Sequence, residues 1–89
     1  MKKYIYLISP NLIKKSFYQD LSKVLSSNKV KYFQLRLKKT PKNKLIFIAK
    51  KIKKITEKYG VKLIINDSVD IAKIVKAEGC HLGQSDDSV

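Results

Sequence analysis

Residues 31–65 read KYFQLRLKKTPKNKLIFIAKKIKKITEKYGVKLII, and the change of period along this stretch decides the fold. Lys31 to Leu37 alternates as a strand does, with Tyr32, Gln34, Arg36 and Lys38 on one face and Phe33, Leu35 and Leu37 on the other. Thr40-Pro41 then provides a helix start, with the cap expected at Thr40 and the proline in the first turn. Leu45, Ile48, Ala49, Ile52, Ile55 and Tyr59 recur at helical spacing and form one apolar stripe. Lys50, Lys51, Lys53, Lys54 and Lys58 face away from it, as a solvated helix face would. Gly60 is the expected stop, and Val61 to Ile65 is a nearly unbroken apolar run of the kind buried on both faces of a sheet.

The same units extend in both directions. Tyr4 to Ile8 is a short β-branched and aromatic strand that ends at Ser9-Pro10-Asn11. Ser16 is placed to cap a helix whose face carries Phe17, Leu21, Val24 and Leu25. Beyond Ile65, Asn66-Asp67-Ser68 ends the third strand and Val69 to Lys76 reads as a short helix. Glu78-Gly79 is a turn, Cys80 to Gly83 a fourth strand, and Ser85 to Ser88 the opening of another helix. The order β-α-β-α-β-α-β implies right-handed crossovers and a parallel sheet, hence the α/β class.

Composition narrows the field. With 44% hydrophobic residues, three Gly and two Pro in 89, the chain is globular in make-up. No apolar run approaches the roughly 20 residues of a membrane-crossing helix. Cys80 is the only cysteine, which excludes a disulfide scaffold and fits a reducing cytoplasm. The five apolar residues after Lys2-Lys3 are shorter than the roughly 7–15 of a secretory h-region.

The net charge of +13 is polarised: residues 1–60 carry +15 and residues 61–89 carry −2. Nineteen of the twenty cations are lysine, whereas phosphate and base recognition often uses the arginine fork. A basic, non-catalytic nucleic-acid-binding module therefore ranks well behind the enzyme readings that follow.

The polar residues cluster where α/β sheets bind ligands, at the carboxyl ends of the strands. Gln34, Arg36 and Lys38 in one row suit an anion, because such side chains are costly on the inner face of a parallel sheet. Asn66 and Asp67 end the third strand, where turn and cap roles are equally open. His81 and Asp86 belong to the polar cluster at the end of the fourth strand, where a structural histidine and a helix-capping aspartate are the simpler roles. Cys80, alternating with an inward His81, reads as a packed thiol. Taken together, two carboxylates at one edge beside an arginine and a lysine suggest a diphosphate–Mg2+ site. No Walker lysine loop, dinucleotide fingerprint or zinc spacing is present.

Four motifs in order carry a family resemblance: Tyr4-Ile-Tyr-Leu-Ile-Ser-Pro10, Gln34-Leu-Arg-Leu-Lys38, Ile65-Asn-Asp-Ser-Val-Asp-Ile-Ala72 and Gly79-Cys-His-Leu-Gly-Gln-Ser-Asp86. The sequence resembles the thiamine-phosphate synthase family. That resemblance implies a (β/α)8 TIM barrel joining 4-amino-2-methyl-5-pyrimidinylmethyl diphosphate to a thiazole phosphate, with release of pyrophosphate. By resemblance Gln34, Arg36, Lys38 and Asn66 hold the pyrimidine diphosphate, and Asp67 and Asp86 ligate Mg2+. No protein nucleophile is implied.

A full barrel needs at least about 200 residues. Residues 1–89 are thus expected to be the N-terminal half of a single barrel domain, stopping before the fourth helix and inactive alone. The related thiazole tautomerase shares the fold but needs no metal–diphosphate site. Small-molecule substrates and no membrane are expected, with homo-oligomerisation left open.

Overall fold

The computed structural model describes residues 5–10 and 12–81; Asp86 and the expected fourth helix lie outside them. Four strands and three helices alternate: β1 (Ile5–Ile8), α1 (Phe17–Leu25), β2 (Val30–Leu35), α2 (Lys42–Lys58), β3 (Lys62–Asn66), α3 (Val69–Ile74) and β4 (Gly79–His81). The strands form one sheet in the order β1-β2-β3-β4, and every neighbouring pair is parallel.

That order determines how the sheet is covered. When each crossover has the same hand and each new strand is added on the same side, all helices collect on one face. The core confirms this. Phe33 and Leu35 of β2 and Leu63 and Ile65 of β3 pack with Leu21 and Leu25 of α1, Ile48, Ala49 and Ile52 of α2, and Ile71, Ala72 and Val75 of α3. The opposite face is bare: Tyr6 is 48%, Ile8 49% and Tyr32 38% exposed. A (β/α)8 barrel has this plan, with helices outside and a packed interior that only the remaining strands can complete. The third strand is accordingly buried on its helix side alone, with Ile64 half-buried and Lys62 exposed on the other face.

Element boundaries differ locally from the sequence expectation, for identifiable reasons. Ser16 does not cap α1, because it is itself helical (φ −68°, ψ −16°) and the chain enters through a turn in which Phe17 N–H bonds the Lys14 carbonyl. Val24 is exposed; Leu21 and Leu25 carry the buried stripe. The cap position of α2 falls on Pro41, in extended conformation (φ −56°, ψ 146°), so the Thr40 side chain stands too early and bonds the Lys38 carbonyl. Thr56, in the last turn of α2, extends the buried side of the stripe; it is fully buried, with its hydroxyl donated to the Lys53 carbonyl. Ser68 does cap α3, accepting from Ile71 N–H.

Helices α2 and α3 close alike. Val61 N–H reaches the Thr56 carbonyl and Gly60 N–H the Glu57 carbonyl, while Ala77 and Lys76 repeat these bonds to Ala72 and Lys73. The pivots are Gly60 at φ 69° and Lys76 at φ 58°, the left-handed turn that such a closure requires. Among the described residues, no helix is long and apolar enough to cross a membrane.

Candidate functional site

Strand register sorts the bare face into rows. The lowest holds Tyr6, Tyr32 and Lys62, since Tyr6 pairs with Tyr32 and Tyr32 with Lys62. Above it lie Ile8, Gln34, Ile64 and Gly79 in one line. A Cβ at Gly79 would meet the Ile64 Cδ1 at 2.9 Å, a contact that the half-buried Ile64 side chain can relieve by turning. The top row, at the carboxyl edge, pairs Asn66 with His81. Arg36, one residue past the Leu35–Ile65 pair, stands level with Asn66.

Each residue of this edge is held by a specific contact. Gln34 is 5% exposed, and its Nε2 donates to the Tyr6 hydroxyl at 2.9 Å. Tyr6 in turn stacks on Tyr32, ring centroids 5.6 Å apart and planes 21° from parallel. An aromatic pair thus fixes an amide that would otherwise be mobile. Ser9 sits where β1 ends and ties two strands together. Its N–H donates to the Gln34 carbonyl at 2.9 Å, and its Oγ accepts from Arg36 N–H at 2.9 Å. Its hydroxyl contacts the Arg36 carbonyl at 3.4 Å.

On the other side of the edge, Asp67 turns the chain with φ 63°, a conformation that Asp and Asn tolerate better than most residues. Its N–H donates to the His81 carbonyl at 2.7 Å, and Asn66 Nδ2 donates to its Oδ2 at 3.1 Å. The Asp67 carboxylate is therefore exposed at the rim and oriented by its neighbour.

Gln34 of β2 and Asn66 of β3, with Arg36 and Asp67 one residue past the ends of those strands, thus come to one edge. Lys38 does not share the strand: β2 ends at Leu35, two residues earlier than alternation suggested, and Lys38 is exposed in the loop to α2. His81 is exposed on the open side and Cys80 packs against the core, as their alternation indicated. Asp86 lies outside the described residues. Sequence reading missed Ser9 and the support given by Tyr6. Position was the available signal for Ser9, which directly follows the last residue of β1 at the carboxyl end of the sheet.

Oxygen donors suit a magnesium ion, and the rim offers them: a carboxylate at Asp67 and the amide of Asn66 beside it. Among the described residues, no three His, Cys, Asp or Glu side chains gather as a protein-only metal cage would need. A hard cation sharing one or two carboxylates with substrate phosphates fits this sparse set.

A helix-backed parallel sheet with its strands in sequential order, bare on one face and polar at its carboxyl edge, has the plan of half a (β/α)8 barrel. The sequence model of the thiamine monophosphate synthase family matches residues 5–89, and the chain belongs to that family. It is 61% identical over 87 residues to a thiamine-phosphate synthase of Pelagibacter ubique, covering 96% of this chain and 42% of that protein. A thiamine-phosphate synthase of Clostridioides difficile is 43% identical over 86 residues, 97% of this chain and 40% of that protein. The fold matches the thiamine phosphate pyrophosphorylase of Pyrococcus furiosus with a TM-score of 0.72 at 23% identity, over 89% of this chain and 38% of that one. The chain therefore spans about 40% of the length of the curated relatives it matches. These relatives lend no support to the tautomerase or nucleic-acid readings.

Proposed function

We propose that this chain supplies the first half of a thiamine-phosphate synthase, a transferase that couples the pyrimidinylmethyl diphosphate to a thiazole phosphate and releases pyrophosphate. The observation that carries the reading is the convergence of Gln34, Arg36, Asn66 and Asp67 at one carboxyl edge in a chain of this family. Arg36 and Lys38 neutralise the diphosphate, Arg36 with its forked donors and Lys38 as a point charge from the loop. Gln34, held by Tyr6, and Asn66 orient the substrate by hydrogen bonding.

Asp67, with Asp86, holds Mg2+, which when bound stabilises negative charge on the diphosphate oxygens. The chain's own residues contribute fixed positive charge at the leaving group, and the reading calls on no protein nucleophile. The thiazole phosphate is met by elements beyond this chain, so activity requires the remainder of the barrel. The enzyme works in the cytoplasm on small molecules.

A completed chain tests the site: the matched part of this chain replaces the corresponding segment of the Pelagibacter ubique synthase, whose own remaining length completes it. Asp67→Asn keeps the volume and the turn preference but removes the charge. It should raise the Mg2+ concentration for half-maximal pyrophosphate release at least about tenfold, a loss of about 1.4 kcal/mol in metal binding. An unchanged Mg2+ dependence in a folded variant removes Asp67 from the metal site.

A further inference from the structure

Among the described residues, four that are not glycine have a left-handed backbone: Asn28 (φ 64°), Lys39 (φ 54°), Asp67 (φ 63°) and Lys76 (φ 58°). Asn and Asp enter that region readily, whereas the Cβ of a lysine crowds the following carbonyl. Lys76 is accounted for by the closure of α3. Lys39 closes no helix; it stands in the short connection from β2 to α2, one residue after Lys38 and three after Arg36. That connection is held on both sides of it. Arg36 N–H is bound by Ser9 Oγ and Leu37 packs against the core, while the Thr40 hydroxyl donates to the Lys38 carbonyl at 3.2 Å and so brackets Lys39. The Lys39 side chain is exposed and, among the described residues, joins no ion pair. Neither packing nor a carboxylate therefore offsets the strain, and strain of this kind beside a binding site points to function.

We propose that Lys39 is a further cation of the diphosphate site, one that draws the substrate's diphosphate toward Arg36 and Lys38 by its charge and does not touch the reacting atoms. The proposal rests on the reading of this edge as the diphosphate site and adds a capture residue to it. Three residues of chain span at most about 11 Å, so Lys39 stays near a diphosphate bound at Arg36. At that range an exposed ammonium acts through water, and its pull fades as salt shortens the screening length from about 30 Å at 0.01 M to about 3 Å at 1 M. Lys76 provides the internal control. It is a lysine in the same backbone conformation, but it follows α3 and its N–H is engaged by the Lys73 carbonyl in the helix closure.

Steady-state kinetics of the completed chain test this. At low ionic strength Lys39→Gly should raise KM for the diphosphate about three- to tenfold with kcat within about twofold, and the gap should fall below about twofold in 0.5 M salt. Lys39→Asn, which tolerates the same backbone, should match Lys39→Gly, and Lys39→Arg should keep the wild-type KM. Lys76→Gly should leave KM unchanged, while both glycine variants raise the urea midpoint by roughly 0.25–0.5 M. A KM unmoved in Lys39→Gly and Lys39→Asn would overturn the proposal, as would a loss that persists in high salt or a Lys39→Arg that behaves like Lys39→Gly. A lowered urea midpoint in Lys39→Gly would overturn the strain on which it stands. Turnover that depends on Arg36 but not on Lys39 counts against Lys39 alone. A folded completed chain that makes no thiamine phosphate overturns the proposed function and the role of Lys39 with it.

Discussion

Glu78 is the residue whose removal the structure predicts most sharply. It lies between α3 and β4 and ties that connection to α2 and β3. Lys53 Nζ of α2 donates to its Oε2 at 2.7 Å, Leu63 N–H of β3 donates to its Oε1 at 2.8 Å, and its own N–H returns to the Leu63 carbonyl at 2.9 Å. Burial alone would raise its carboxyl pKa. The hydrogen bonds from Lys53 and Leu63 outweigh burial and hold it below the ordinary value of about 4.5.

Because the folded carboxyl binds its proton less tightly than the unfolded one, the contribution is complete above the unfolded pKa. It is lost as pH falls through the lower, folded value. The side chain is 37% exposed, so the ion pair by itself is worth only about 0.2–1 kcal/mol. The larger part is the charged acceptor for a backbone N–H of a fully buried residue. Glu78→Ala orphans that N–H and should cost about 2–3 kcal/mol in all, whereas Glu78→Gln keeps an acceptor and should cost about 1 kcal/mol. In the completed chain, with a urea slope of about 2 kcal/mol per M, these are midpoint shifts of roughly 1 M and 0.5 M at pH 7. The gap between wild type and Glu78→Gln should narrow below about pH 4.5. Equal midpoints for the two variants, or a gap that widens in acid, would refute the reasoning.

Ser9→Ala removes the acceptor of Arg36 N–H and should cost about 1–2 kcal/mol by urea unfolding of the completed chain. It should also raise KM for the diphosphate several-fold, because Arg36 loses its tether; an unchanged KM separates Ser9 from the site. Lys76→Gly relieves a left-handed lysine and should add about 0.5–1 kcal/mol, read from the same curves, and a destabilised variant would contradict the assigned helix closure. The isolated 89-residue chain, with Tyr6, Ile8 and Tyr32 in water, should bind a hydrophobic dye, self-associate and form no thiamine phosphate. Clean monomer in sedimentation, or turnover, would contradict that.

The order of elements was legible because each carries its own period. The α2 stripe from Leu45 to Tyr59 cannot be read as a strand, and Phe33, Leu35 and Leu37 mark the apolar face of the second strand by simple alternation. The common edge of Gln34, Arg36, Asn66 and Asp67 was legible for the same reason, since parallel strands all end on one side. What local pattern hides is anything made between distant residues. Ser9 acts on Arg36 across 27 positions and Glu78 on Lys53 across 25, and a serine after a strand or a glutamate in a turn gives no sign of either bond. Apolar runs were also read as buried on both faces, because the sequence of one half of a barrel resembles that of a doubly covered sheet. Register and strand order, which place Ile64 and Tyr32 on the face without helices, appear only when the chain is folded.

The central claim is that these residues form half of a synthase site. Its most direct test is thiamine phosphate production by the completed chain, with both substrates and Mg2+, beside the same chain carrying Arg36→Ala. The account predicts turnover close to that of the Pelagibacter ubique enzyme. Arg36→Ala should lower kcat/KM at least a hundredfold, about 2.7 kcal/mol of transition-state stabilisation. A folded completed chain that makes no product, or one indifferent to Arg36→Ala, would contradict it.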